Sequence, residues 1–429
     1  MRKRKNIWSF LIILFLIGPF PIMITFEARG GEALSEQVTV KEKLKIEKIS
    51  SEEEAMKSIV MANNSFGLAL YRVLSLEKGN QFLSPLSLST ALAMTLEGAR
   101  DDTAVAIRRV LNLPAEETVR QTGFIQIRKL INQPGRKSQL NLANAIWIQK
   151  NFPLLKNYLE IIAKVYDGQA TNVDFINRQE ETRKVINKWT EEKTAGKIKD
   201  LIPPGIIDYL TRIILTNAIY FRGLWLLPFN PELTKPEKFH LGEGQEIEVA
   251  MMRLVGDRAR FPYMENEDLQ MLEMFYEGRD LSMLILLPKK KDLTSLESKL
   301  TVDILETWKK QLKEERVDVY LPRFKMETKY FLKEKLEQMD MAVAFTIKAD
   351  FSGINGRKDL FIQQVIHQAL VEVNEEGTEA AAATGVLIGR TAYIPEKKYV
   401  FRADHPFIFL IQEKASGTIL FLGRLSDPR

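Results

Sequence analysis

The sequence of 429 residues contains no cysteine, which excludes disulfide bonds, a thiol nucleophile and thiolate metal sites. It has three histidines, His240, His367 and His405, spaced widely along the chain, so a histidine-rich metal site is not expected. The chain also lacks a large net charge, because 61 basic residues against 56 acidic residues leave only +5. This balance argues against nucleic-acid binding. We therefore expect no cofactor, no metal and no nucleic-acid partner.

Catalytic motifs are missing too. No nucleophile motif such as G-x-S-x-G lies beside His240 or His405, so a triad enzyme is not expected. What the chain does have is material for a large core, since 45% of its residues are hydrophobic. Without disulfides, that core must supply the stability of the protein.

The N-terminus reads as a targeting segment. Four basic residues at positions 2–5 precede an apolar stretch at 7–26, and the small-residue pattern Ala28-Arg29-Gly30 follows. We predict a signal peptide over 1–30 and a secreted, extracellular or periplasmic protein. A retained membrane anchor is the alternative, because about 20 apolar residues suffice to span a bilayer.

The rest of the chain divides in two. Residues 31–55 are polar and charged with sparse apolar residues, which predicts a solvated linker before a folded domain at 56–429. Within that domain a short strand ends at Pro85, a helix follows it, and apolar residues alternate over 140–148 as in a strand. Later, strands dominate, interrupted by a predicted helix at 331–339, and another strand is predicted at 365–373. Helices first and strands later, without βαβ alternation, predict an α+β fold with mainly antiparallel sheets.

The most unusual segment follows the strand predicted at 365–373. It consists of alanine, threonine and glutamate between two glycines, Gly377 and Gly385, and it has no large apolar face for a helix. As a strand it would point Thr378, Ala380, Ala382 and Thr384 to one side and Glu379, Ala381 and Ala383 to the other. Such a segment is either a flexible loop or a strand able to slide between two others.

Several blocks of the chain resemble those of the serpin family, in serpin order over essentially all of 56–429. The blocks are residues 80–87 (NQFLSPLS), 140–148 (LNLANAIWI), 186–196 (INKWTEEKTAG), 215–229 (LTNAIYFRGLWLLPF), 319–324 (VYLPRF), 349–354 (ADFSGI), 405–407 (HPF) and 419–425 (ILFLGRL). The small-residue segment is similar to the hinge of the family's reactive-centre loop. We define the hinge here by Glu375, Gly377, Thr378, Glu379, Ala380, Ala381, Ala382, Ala383 and Thr384.

The resemblance implies a fold of helices packed around three mainly antiparallel sheets with an exposed reactive-centre loop. It also implies a suicide inhibitor of serine proteases, active as a monomer. The protease attacks the loop and forms an acyl-enzyme. The cut loop then inserts as a central strand, and about 14 residues at roughly 3.3 Å each carry the enzyme some 45 Å. A displacement of the protease's catalytic groups by even about 1 Å lowers the reaction rate steeply, so the resemblance implies that deacylation stalls.

The resemblance assigns further roles. Ser84, Ser87, Asn217 and His367 match a polar cluster under the sheet where the strands part, and Trp225 matches the tryptophan where the loop first enters. A non-inhibitory serpin, acting as carrier, chaperone or structural protein, is the alternative. Such relatives tend to have bulky or charged residues at inward hinge positions, which this hinge lacks. Five basic residues either bind a polyanion or form a solvated helix face: Arg120, Arg128, Lys129, Arg136 and Lys137.

Two neighbouring bonds are candidates for the site of cleavage. Counting the usual loop length from Gly377 places the bond between Thr391 and Ala392, which would suit an elastase- or subtilisin-like protease. A trypsin-like protease would instead cut between Arg390 and Thr391, because a guanidinium suits an acidic specificity pocket. Both bonds stay open at this point.

Overall fold

The computed structural model of the protein describes residues 32–242, 244–378 and 397–429. Its helices are α1 (Glu32–Leu74), α2 (Pro85–Gly98), α3 (Asp101–Val110), α4 (Glu117–Ile131), α5 (Lys156–Tyr166), α6 (Gln179–Lys193), α7 (Thr294–Lys299), α8 (Val302–Lys309), α9 (Lys333–Leu336) and α10 (Ser352–Asn355). Short helical turns lie at Pro231–Leu233, Glu337–Met341 and Ala342–Phe345.

The strands include β1 (Gln81–Leu83), β2 (Gln139–Gln149), β3 (Gln169–Val173), β4 (Ile213–Leu224), β5 (Lys235–Gly242), β6 (Gln245–Leu254), β7 (Arg260–Glu265) and β8 (Leu269–Phe275). The later ones are β9 (Leu281–Pro288), β10 (Lys313–Pro322), β11 (Phe324–Phe331), β12 (Ile362–Val373), β13 (Gly377–Thr378), β14 (Lys398–Arg402), β15 (Phe407–Glu413) and β16 (Ile419–Leu425). The α+β class predicted from the sequence is confirmed.

The first helix differs from expectation. Residues from Glu32 onward are helical through Leu74, whereas the solvated linker predicted over 31–55 was given no secondary structure. Glutamate and lysine are good helix formers, and a pair four residues apart, Glu53 and Lys57, has a 2.8 Å contact that supports the helix. The residues from Glu52 to Arg429 form one compact unit, which begins slightly before the predicted boundary.

The N-terminal apolar stretch lies outside the described residues, so its prediction as signal peptide or anchor stays a prediction. Among the helices in the part of the chain that the structure describes, none has both the length and the apolar character needed to cross a bilayer.

One sheet of six strands positions the candidate site. Its order is β11-β12-β13-β4-β2-β3, and beyond the short β13 the strands β12 and β4 pair directly with each other. That pairing is parallel, while β11 and β2 flank it in antiparallel orientation. The middle of the sheet is thus a parallel pair with a short antiparallel strand wedged into one end.

The other strands form a single sheet of ten strands rather than the two further sheets that were expected. Its order is β1-β16-β15-β9-β8-β7-β10-β6-β5, with β14 paired to β10. β10 joins the two groups, because its first part pairs with β7 from Lys313 onward and its last part pairs with β6 up to Pro322. The helix predicted at 331–339 begins later, at Lys333, because β11 runs to Phe331, and α9 continues into the helical turn Glu337–Met341.

Both faces of the six-stranded sheet are covered. The large core includes residues of α2, the ten-stranded sheet and one face of β4 and β12. A smaller core lies on the opposite face, where Ile186 of α6 packs with Trp147 of β2, Ile214 of β4 and Ile366 of β12. The start of α2 is set by Ser84, whose hydroxyl accepts the N–H of Ser87, and by Pro85 at the first turn. The predicted strand followed by a helix is confirmed, with the boundary slightly earlier than expected: β1 ends at Leu83 and α2 begins at Pro85.

Candidate functional site

Two residues of the hinge, Gly377 and Thr378, lie inside the six-stranded sheet. Thr378 pairs with Val373 of β12 on one side and with Gly223 of β4 on the other, and both pairings are antiparallel. Gly377 pairs with Leu224. The chain therefore turns back after β12 and enters the gap between β12 and β4 as a new strand.

Gly377 is the residue that this entry requires. A β-carbon added to it would lie 2.1 Å from the carbonyl oxygen of Gly223 and 2.6 Å from the α-carbon of Leu224. These are backbone atoms of β4 and cannot swing aside as a side chain could. Only glycine lets the hinge approach β4 this closely.

Thr378 is fully buried, and its hydroxyl lies 3.0 Å from the phenolic oxygen of Tyr276. The ring of Tyr276 stacks on the ring of Trp225 with their centroids 4.6 Å apart. Burial raises the pKa of Tyr276 far above its ordinary value, so its hydroxyl stays neutral and can donate or accept. Thr378 is the first residue of the alternating set Thr378, Ala380, Ala382 and Thr384 predicted to lie on one face of a strand, and its side chain is buried.

Trp225 holds the turn that precedes the hinge. Its indole N–H donates to the carbonyl of Asn374 at 3.1 Å, and its backbone N–H donates to the carbonyl of Glu376 at 2.8 Å. The side chain of Asn374 in turn accepts the backbone N–H groups of Glu376 and Gly377. A single tryptophan thus contacts the chain on both sides of Glu375.

Glu375 anchors the same turn electrostatically. Its buried carboxylate pairs with the half-exposed guanidinium of Arg323 and accepts the hydroxyl of Thr234 at 2.7 Å. Burial alone would raise the pKa of the Glu375 carboxyl, but the hydrogen bonds from Arg323 and Thr234 hold it below its ordinary value. The carboxylate is therefore ionised at neutral pH.

A polar cluster lies deeper, beneath the parallel pair, and consists of Ser84, Ser87, Asn144, Asn217 and His367. All five are buried. The Asn217 amide donates to Ser87 and Asn144, and the Ser87 hydroxyl donates to Asn144 at 3.1 Å. The Ser84 hydroxyl donates to the carbonyl of Leu420 at 2.6 Å, which ties the cluster to β16.

The hydrogen bonds of His367 fix its protonation state. Its Nε2 accepts the backbone N–H of Ser84 at 3.1 Å, so that nitrogen carries no proton and Nδ1 donates to the side-chain oxygen of Asn217. Burial lowers the pKa of His367 from 6.5 to about 3. In a protonated ring Nε2 would carry a hydrogen and could no longer accept the Ser84 N–H. The hydrogen bonds of the cluster therefore require a neutral histidine.

The polar cluster sits where the parallel pair is closed. His367 of β12 lies opposite Asn217 of β4 in the register, and the pairing continues to Leu370 and Tyr220 before β13 separates the strands. Parting these strands would expose or re-pair the buried polar groups of the cluster. A strand placed between them would replace one parallel ladder with two antiparallel ladders, which are slightly more stable per residue.

The remaining predicted site residues cannot be placed. Hinge residues Glu379, Ala380, Ala381, Ala382, Ala383 and Thr384, and the candidate bond residues Arg390, Thr391 and Ala392, lie outside the described residues. The chain is described again from 397, and β14 pairs with β10 in parallel.

The basic residues considered as a polyanion site are partly used inside the protein. Arg120 is buried and donates to the carbonyls of Pro114 and Ala115. The side chain of Arg136 is also buried and forms a 2.7 Å ion pair with Asp280.

Several residues of this site were not singled out from the sequence. Asn144 carried a signal, since it is a polar residue at an inward position of an otherwise apolar alternating strand. Tyr276, Arg323 and Thr234 carried none, because each reaches the hinge from a distant part of the chain.

Comparison with known proteins agrees with this geometry. A sequence profile of the family described as Serpin (serine protease inhibitor) matches residues 61–428. An uncharacterized serpin-like protein of Thermococcus kodakarensis is 43% identical, over 87% of this chain and 86% of that protein. The leukocyte elastase inhibitor of Bos taurus is 42% identical, over 87% of this chain and all (100%) of that protein.

Among solved structures, human thyroxine-binding globulin in complex with its hormone superposes with a TM-score of 0.78 at 28% identity, covering 87% of this chain and 99% of that one. The chain belongs to the serpin family, which is a family of serine protease inhibitors.

Proposed function

We propose that the protein is a monomeric suicide inhibitor of serine proteases that traps them by inserting its cut loop into the six-stranded sheet. The observation that carries the proposal is β13: Gly377 and Thr378 already form the first two residues of a strand that is antiparallel to both neighbours. Insertion after cleavage would continue a ladder that has begun, rather than open the sheet at a new place.

The path of that strand is long enough to displace a bound protease. β4 extends from Leu224, beside the hinge, to Ile213 at its other end. Twelve residues at roughly 3.3 Å each give a path of about 40 Å. A protease that is acylated by the loop and carried this far would be distorted. Even small displacements of its oxyanion hole would stop deacylation.

The side chains of the hinge suit this path. Since Thr378 faces the core, Ala380, Ala382 and Thr384 would follow on the same face of an extended strand. All are small and uncharged, so they bury no unpaired charge and need little space. Residue 379 would face the other side of the sheet.

The protease depends on which bond is cut. Cleavage between Arg390 and Thr391 would select a trypsin-like enzyme, whereas cleavage between Thr391 and Ala392 would select an elastase- or subtilisin-like enzyme with a shallow pocket. The likeness to leukocyte elastase inhibitors supports the second class as strongly as Arg390 supports the first, so both belong in the test.

The test is incubation with trypsin, an elastase and a subtilisin, followed by a denaturing gel. At least one protease should give a band near the summed masses that survives boiling in detergent, because the acyl bond is covalent. A protease with its catalytic serine replaced by alanine is the matched control and should give no such band. Complete cleavage of the protein with every protease left active would overturn the proposal and favour a non-inhibitory serpin acting as carrier, chaperone or structural protein.

Export is part of the same proposal and rests on the sequence alone. The basic and apolar segment over 1–26 supports secretion with removal of about 30 residues, with an N-terminal anchor as the alternative. N-terminal sequencing of the exported protein distinguishes them: a start near position 31 indicates cleavage, and membrane-bound protein with an intact N-terminus indicates an anchor.

A further inference from the structure

A cleft with a surplus of arginine lies beside the entry point of the hinge. Its volume is about 340 Å³, which is within the usual range for small-molecule sites. Its apolar walls come from Leu226, Leu227, Phe261, Pro262, Met274 and Phe275, and its charged residues are Arg258, Arg260, Arg279 and Glu314. Three arginines and one glutamate thus line a cleft whose other walls are apolar.

Two aspartates next to Arg258 and Arg279 in the sequence are paired with other arginines. Asp280, next to Arg279, has a 2.7 Å ion pair with Arg136. Asp257, next to Arg258, has a 2.7 Å ion pair with Arg316. Within the part of the chain that the structure describes, neither Arg258 nor Arg279 has an ion-pair partner of its own.

One of these arginines lies against an aromatic side chain of the cleft, and the other two are joined through their backbones. Arg279 lies in a tight turn in the left-handed conformation with φ of 60°, and its guanidinium is 5.5 Å from the centre of the Phe275 ring. The backbone N–H of Arg260 donates to the carbonyl of Arg258 at 2.8 Å. The cleft therefore has the guanidinium of Arg279 beside an aromatic ring, and exposed Arg258 on the same lining.

We propose that this cleft binds a small amphipathic anion, an aryl or alkyl carboxylate whose apolar part packs on Phe275 and Leu226 while its carboxylate pairs with Arg258 and Arg279. Apolar walls with a few converging polar groups favour such a ligand, since the walls gain from burial and the guanidinium forks match a carboxylate. A wholly polar anion would leave the walls unused, and a neutral apolar molecule would leave the arginines unused.

The test uses 2-naphthoate as probe, with isothermal titration calorimetry on the full protein. We expect saturable binding with one site, and much weaker binding of the matched neutral alcohol, 2-naphthalenemethanol. Arg258→Gln and Arg279→Asn should each weaken naphthoate binding by about tenfold, the usual worth of one charge-assisted hydrogen bond. Asparagine tolerates the left-handed conformation at 279, so that variant should fold normally.

Arg357→Gln removes another exposed arginine, remote from the cleft in the sequence, and should leave binding unchanged. Equal affinity for the acid and the alcohol would overturn the proposal, as would parent-like binding by both cleft variants with unchanged melting temperatures. Binding of a sulfated oligosaccharide, but not of naphthoate, with the same dependence on Arg258 and Arg279 would assign the cleft to a polyanion instead and equally overturn it.

Discussion

The hydroxyl oxygens of Thr378 and Tyr276 lie 3.0 Å apart, with both side chains fully buried where β13 enters the six-stranded sheet. The relationship couples the hinge to β8 and its following turn, because Tyr276 also stacks on Trp225. The native protein thus holds the first inward side chain of the hinge in the position that an inserted strand would give it.

Replacing Thr378 tests whether this position matters for trapping. Thr378→Arg would place a charged side chain in a fully buried site, at a cost of several kcal/mol. Insertion should slow, so the protease should deacylate first and the variant should behave mainly as a substrate. The ratio of covalent complex to cleaved protein on a denaturing gel measures this.

Thr378→Ser is the matched control, since it keeps the hydroxyl that meets Tyr276, and it should trap protease nearly as well as the parent. If Thr378→Arg traps as efficiently as the parent, the inward assignment of position 378 is wrong.

Gly377→Ala tests the close approach of the hinge to β4. The new β-carbon would lie 2.1 Å from the carbonyl oxygen of Gly223, so β13 must move out of the sheet. We expect a lower yield of covalent complex and a slower rate of inhibition. Gly135→Ala is the control, because Gly135 has a positive φ of 84° but no neighbour within 4 Å of the added carbon. It should cost about 1 kcal/mol of stability without changing inhibition, and equal loss of inhibition in both variants would contradict the role given to Gly377.

Local parts of this fold could be predicted from the sequence, whereas contacts between distant segments could not. The start of α2 was predictable because Ser84 and Pro85 set a helix boundary by their own chemistry. The joining of two strand groups through β10 was not, because it depends on partners from β6 and β7. For the site, the hinge composition indicated a sliding strand, but Tyr276 is 102 residues from Thr378 in the sequence and nothing near it marks the contact.

The neutral state of His367 predicts a pH dependence of stability. Its folded pKa of about 3 lies below the ordinary value of 6.5, so at pH values between the two the unfolded chain binds a proton that the folded protein does not. Stability should therefore fall as the pH drops below about 6.5, by up to about 1.4 kcal/mol per pH unit from this residue. Thermal melts of the native protein at pH 7.5 and pH 5 measure the loss.

His367→Gln keeps hydrogen-bonding groups at this position but does not titrate. It should be less stable than the parent at pH 7.5, and the difference should shrink at pH 5. If parent and variant lose the same stability between the two pH values, the loss comes from other groups and the account of His367 is incorrect.

The two candidate bonds differ in the peptide that they release. If Arg390 is recognised, the C-terminal fragment begins at Thr391 and Arg390→Ala abolishes trapping of a trypsin-like protease. If Thr391 is recognised, the fragment begins at Ala392, Arg390→Ala is nearly neutral and Thr391→Arg redirects inhibition toward trypsin. Mass spectrometry of the fragment from the denatured complex decides, and a start at Tyr393 or Ile394 would refute both.

Thermal stability before and after loop cleavage tests the central claim most directly. Insertion would add ladder hydrogen bonds and buried surface between β4 and β12 beyond those that the described part of the uncut chain makes at Gly377 and Thr378. Protein cut once in the loop, with both fragments retained, should melt about 10 °C or more above the uncut protein, since several kcal/mol shift a domain's melting temperature by a few degrees each. An unchanged melting temperature after cleavage would show that the loop does not insert and would contradict the account.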